Sequence, residues 1–174
     1  MKYKFTPVDI ANYFIVADLP VSQQYYALED LFQQHNMELS LPYRRNYKLF
    51  RTTVYDYIIS LDLTDTEVSE AQLILNEISS GTLYRFQDKV DEYDVFAFYF
   101  KLIKLQIMYS PQQYKRLKLR TLLHDFGYKR RSLILMDNIN STLKALKLST
   151  YLRNNEKCNI VDVKLDDMII IRLY

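Results

Sequence analysis

Apolar residues recur at helical spacing through most of this chain. Tyr43, Tyr47, Phe50, Val54, Tyr57 and Leu61 step by four, three, four, three and four, which is one continuous helical stripe opened by Pro42. Its end, VYDYII, also has the composition of a strand. Upstream, Thr6-Pro7-Val8-Asp9 predicts a helix start: a threonine that caps, a proline at the first helical position and an acid at the positive helix end. Ile10, Phe14 and Ala17 continue that helix until Leu19-Pro20. A second helix is expected from Ser22 to about His35, with Val21 and Tyr26 as a hydrophobic staple.

Thr64-x-x-Glu67 reads as a capping box heading a fourth helix through Val68, Ala71, Leu75 and Ile78, with Gly81 as its C-cap. A longer helix is expected from about Leu83 to Met108. It is apolar almost all round in its middle, and so should be the central buried element. Ser110-Pro111 restarts the chain with the same cap-plus-proline signal as Thr6-Pro7.

Beyond it, residues 111–126 read as a helix with Tyr114, Leu117, Leu122, Leu123 and Phe126 inward, ended by Gly127. A second helix is expected over about Arg131–Lys147, which completes a helix-turn-helix. Ile160–Val163 and Met168–Leu173 flank Lys164-Leu165-Asp166-Asp167 as a β-hairpin. The expected fold is therefore mainly α: a helical bundle over 1–109, then a winged-helix-like module over 110–174 with a C-terminal hairpin. One compact domain is the alternative.

Composition narrows the classes. The 174 residues are 49% hydrophobic and 14% aromatic, ample for a core and unlike a disordered chain. Two glycines and four prolines are few for an all-β sandwich. The N-terminus lacks the long apolar region of a signal peptide, and no run approaches the roughly 18 apolar residues of a membrane span, so a cytoplasmic protein with no membrane partner is expected. Abundant Phe, Tyr, Met, Ile, Asn and Lys with little Gly, Ala, Arg and Pro suggests an AT-rich genome.

The net charge of +2 conceals a polarity. Residues 1–100 carry −7, residues 101–157 carry +10 and the last 17 carry −1. Such asymmetry points to a polyanion met by the basic part, although charges covering solvated helix faces would read the same way. On the helix expected over 131–147, Leu135, Ile139, Thr142, Leu143 and Leu146 form the inward stripe. Arg130, Asp137, Ser141 and Lys144 face the other side, flanked by Asn140 and Lys147. The candidate DNA-contacting set is Lys129, Arg130, Arg131, Asn140, Ser141, Lys144, Lys147 and Arg153. Asp137 opposes that reading. Arg130-Arg131 also opposes the helix dipole, which favours an acidic neighbour, either phosphate or carboxylate.

No catalytic or metal constellation accompanies this surface, so neither an enzyme nor a cofactor is expected. Two isolated glycines build no phosphate loop, and one cysteine, Cys158, builds neither a disulfide nor a standard zinc site. Cys158 has His35 and His124 as its only potential bases, without a supporting motif. Asp62, Asp65, Glu67, Glu70 and Glu77 lie in a capping box and on a solvated helix face. The 16 tyrosines mostly fall on apolar stripes, which favours packing over base stacking.

Two stretches carry resemblances. LRTLLHDFGYKRRSLILMDNINSTLKALKL, with its Phe126-Gly127 turn, Arg130-Arg131 and Ile139-x-x-x-Leu143, resembles a winged-helix-like module found at the ends of bacterial restriction and defence proteins. DIANYFI resembles the opening of the Panacea antitoxins, although VSQQYYALEDLFQQ does not match the apolar-rich second helix of that family. These resemblances imply defence, phage or mobile-element biology. The expected function is non-enzymatic duplex-DNA binding through the basic C-terminal module, with the N-terminal helices forming a homodimer or holding a partner. The alternative is an inhibitor or adaptor that binds an acidic protein.

Overall fold

The computed structural model describes residues 2–61 and 92–174, in two units that span 1–72 and 73–174. In the first unit, α1 (Pro7–Val16) opens on a reciprocal capping box. The Asp9 carboxylate accepts from both the Thr6 backbone N–H and the Thr6 hydroxyl at 2.8 Å, which lets a buried acid stay satisfied at the helix's positive end. Helix α2 (Val21–Gln33) begins directly after Pro20 rather than from a Ser22 cap. Pro42 does not open the third helix: Leu41–Tyr43 is a separate 3-10 turn, and α3 (Tyr47–Leu61) starts after Asn46. The Asn46 side chain accepts from the Leu49 N–H at 2.9 Å, a cap that a helix running through from Pro42 would lack. VYDYII is helical throughout. Ile10, Phe14, Leu28, Leu31, Phe50 and Val54 form the core of this unit. The helix expected from Thr64 to Ile78, the Gly81 cap and residues 83–91 lie outside the described residues.

The second unit overturns the mainly α expectation. Its described elements are α4 (Glu92–Tyr109), β1 (Lys115–Lys118), α5 (Leu119–Asp125), α6 (Leu133–Ala145), β2 (Leu148–Leu152), β3 (Lys157–Cys158) and β4 (Met168–Leu173). The strands form one antiparallel sheet in the order β1-β4-β2-β3, so the chain is mixed α/β. Central β4 pairs Ile169, Ile170 and Ile171 with Leu117, Arg116 and Lys115 on one side. On the other side it pairs the same residues with Leu152, Tyr151 and Thr150. Helix α4 packs on α6, β4 and β1. Phe96, Ala97, Phe100, Leu105 and Ile107 are buried along it, as are Lys101 and Lys104, which therefore add nothing to the outer charge.

Three local expectations fail in this unit for one reason: pairing with β4 overrides local propensity. Residues 115–118 form a strand, not part of a helix from Pro111, because the edge of β4 offers a complete ladder to KRLK. The hairpin partner of β4 is Leu148–Leu152, which follows α6 almost directly because Lys147 adopts φ 59° and stops the helix. Ile160–Val163 is not a strand but part of the connection from β3 to β4, and it buries Ile160 and Val163. That connection caps α5. The Leu119 and Arg120 backbone N–H groups, unsatisfied within their own helix, donate to the carbonyls of Asp167 at 3.3 Å and Leu165 at 2.7 Å. Arg120 adds a bidentate pair with Asp166 at 2.8 and 2.9 Å, which holds that exposed carboxyl below its usual range.

Candidate nucleic-acid interface

The turn after α5 and the helix α6 carry six of the eight predicted DNA-contacting residues, with Lys147 and Arg153 beyond them. Gly127, at φ 78°, ends α5, and the Gly127 and Tyr128 N–H groups bond back to the carbonyls of His124 and Leu123. Phe126 pins the turn: its ring lies 4.5 Å from Phe96, 4.8 Å from Tyr99 and 6.0 Å from Phe100. Tyr99 donates its hydroxyl to Asp125 at 3.0 Å. Burial raises the Asp125 carboxyl above its ordinary range, against the lowering effect of that hydrogen bond. The Ser132 hydroxyl then accepts from the Leu135 N–H and starts α6.

Helix α6 buries Leu135, Met136, Ile139, Thr142 and Leu143. Its outward side presents Leu133, Ile134, Asp137, Ser141 and Lys144, with Asn140 half-buried beside them. Lys129 and Arg130 are exposed ahead of its N-terminus, and Lys147 is exposed just past its C-terminus. The fold therefore sets two cationic groups apart by the length of the 13-residue helix, roughly 20 Å at 1.5 Å per residue. Arg131 is exposed, but its Nη1 donates to the carbonyls of Val163 at 2.8 Å and Val161 at 3.4 Å. It ties the turn to the β3–β4 connection. Arg153 stands at the opposite end of β2 from Lys147, about 20 Å along the strand, and does not join the cluster.

Two features here were not found from the sequence. The first turn of α6 exposes large apolar side chains, Leu133 at 69% and Ile134 at 75%. Periodicity signalled this, since neither lies on the inward stripe. The β3–β4 connection meets Arg131 through the Val161 and Val163 carbonyls and Arg120 through Asp166, and no local pattern predicts that. By unit, 17 Lys/Arg stand against 11 Asp/Glu over 73–174, a net +6, while 1–72 carries 6 against 10, a net −4.

Among the described residues no group of His, Cys, Asp and Glu is arranged to hold a metal, and no helix is long and apolar enough to cross a membrane. Burial pushes the Cys158 thiol above its ordinary value of 9.0, opposed by Thr150 and reinforced by Glu156 and Asp162. A raised thiol pKa means less thiolate at any given pH. Cys158 should thus react with a thiol-specific disulfide reagent at pH 8 several-fold more slowly in the native protein than in urea. A native rate equal to the unfolded one would contradict that environment.

No family model, no curated protein and no solved structure matches this chain.

Proposed function

We propose that the second unit binds duplex DNA without catalysing a reaction, with α6 lying along the major groove. The observation that carries this reading is the exposure of Lys129 and Arg130 at one end of α6 and of Lys144 and Lys147 at the other. A helix fits a groove about 12 Å wide, and cations at both of its ends reach the phosphates on either side. The middle of the outward side, Asp137 and Ser141 with Asn140 half-buried beside them, is poor in exposed bidentate base readers, so the binding is mainly to the backbone and weakly sequence-selective. Such a protein works where DNA is, in the cytoplasm of a bacterial cell. Its first unit is left to hold a second copy or a partner.

Four phosphate contacts fix the expected salt dependence. At a slope of about −0.9 per contact, raising salt from 50 to 200 mM should weaken binding to a 20-base-pair duplex by roughly a hundredfold. Fluorescence anisotropy measures this directly. A flat salt profile, or no binding at 50 mM, would remove the proposal.

A second reading is favoured by Leu133 and Ile134, whose exposure at the head of α6 suits a protein partner better than a phosphate. Affinity capture from bacterial lysate separates the two. Co-purification abolished by nuclease supports the DNA reading, and a protein retained after nuclease, then lost on Leu133→Ser with Ile134→Ser, supports the second.

A further inference from the structure

The two faces of the β1-β4-β2-β3 sheet differ sharply. Side chains alternate across a strand, so residues paired directly in the register share a face. One face holds Leu117, Ile169, Ile171, Leu148 and Thr150, all buried, and is the side that the helices cover. The other face reads, row by row, Lys118–Met168, then Arg116–Ile170–Tyr151–Lys157, then Arg172–Ser149. Tyr114, one residue before β1, continues the last row beside Arg172, and Tyr174 extends β4 through its N–H bond to the Lys147 carbonyl at 2.8 Å.

The cations on this face are laid over the rings. The Arg172 guanidinium lies 5.4 Å from the Tyr151 ring centre and 5.9 Å from that of Tyr114, and Arg116 lies 5.9 Å from Tyr114. Lys157 sits 4.4 Å above Tyr174. Arg172 is fixed further by donating to the Asn155 side chain at 2.9 Å. No register position of this face carries an acid. Ile170, at its centre, is 2% exposed, so what the face offers outward is charge and aromatic ring rather than an apolar patch.

We propose that this open sheet face binds single-stranded nucleic acid, its backbone on Arg116, Lys118, Lys157 and Arg172 and its bases on Tyr151, Tyr114 and Tyr174. A duplex is excluded as the occupant because its bases are stacked internally and offer the rings nothing, whereas an unpaired strand presents both phosphates and π-faces. An apolar protein surface is a poor match for a face whose central isoleucine is already covered. The surface lies on the far side of the sheet from the helices and is independent of the outward side of α6. It therefore stands or falls apart from the duplex proposal.

The test uses the full chain with fluorescein-labelled dT15, a 20-base-pair duplex and polyglutamate, all at 50 mM salt. Arg116→Glu with Lys157→Glu, both exposed positions, should weaken dT15 binding at least thirtyfold and leave duplex binding within twofold. Tyr151→Ala should weaken dT15 about tenfold and Tyr151→Phe hardly at all, because the ring does the stacking. Thermal melts establish that each variant folds. The proposal is overturned if the native chain does not bind dT15. It is equally overturned if dT15 binding is lost only when Lys129, Arg130 and Lys144 are reversed. Polyglutamate bound as tightly as dT15, with Tyr151→Ala indifferent, would overturn it in favour of an acidic protein.

Discussion

Replacing Lys129, Arg130 and Lys144 by Glu, and Lys147 by Asn, should weaken duplex binding at least a hundredfold with the fold unchanged. All four side chains are exposed, and none of them hydrogen-bonds another described residue. Asparagine is chosen at 147 because the backbone there is left-handed, a conformation asparagine adopts readily. Arg131 is deliberately retained. Its bonds to Val161 and Val163 hold the β3–β4 connection, so reversing it would perturb structure and charge together. Each lost phosphate contact also removes about 0.9 from the salt slope, so the quadruple variant should show a nearly flat profile. Asp137→Asn tests the same geometry in the opposite direction. It removes an exposed negative charge between the two cationic groups and should strengthen duplex binding several-fold. Unchanged affinity in both variants would place the DNA contact, if any, elsewhere.

Phe126→Ala should be the most destabilising single substitution in the second unit, at about 3–5 kcal/mol. The ring is buried, with three other aromatic rings centred within 6.0 Å, and truncation leaves a cavity that those rigid neighbours fill poorly. For a unit of this size each kcal/mol lowers the melting temperature by roughly 4–8 °C, so a fall of more than 10 °C is expected in a thermal melt. Urea unfolding gives the free energy itself, and a loss below 1 kcal/mol would show that the turn is held by other contacts. Because Phe126 fixes the turn between α5 and α6, duplex binding should also weaken below the melting temperature. Leu133→Ser, exposed on the adjoining helix, should cost almost nothing in stability.

The elements legible in the chain are those whose signals are local. The Thr6 cap with Pro7 and Asp9 behind it, the Gly127 stop and the inward stripe Leu135, Ile139, Thr142 and Leu143 each depend on residues within a turn or two of one another. The apolar middle of α4 was readable for the same reason. That stripe set Ser141 and Lys144 on the opposite side of the helix, while the exposure of Lys129 and Arg130 ahead of it was left open by the sequence. The bonds of Arg131 to the β3–β4 connection and the place of Arg153 at the far end of β2 were not legible, because both depend on where distant segments return.

Sequence alone therefore determined the helix after Ser132, its inward stripe and the concentration of positive charge after residue 100. Those properties are set by covalent neighbours and the 3.6-residue period. Only the tertiary structure decided that Lys115–Lys118 is a strand, that Leu148–Leu152 and not Ile160–Val163 pairs with Met168–Leu173, and that one sheet face is basic and aromatic. A strand is stabilised by hydrogen bonds to a partner that can lie 50 residues away. Its identity is settled by which edges meet in space, and no local pattern carries that information.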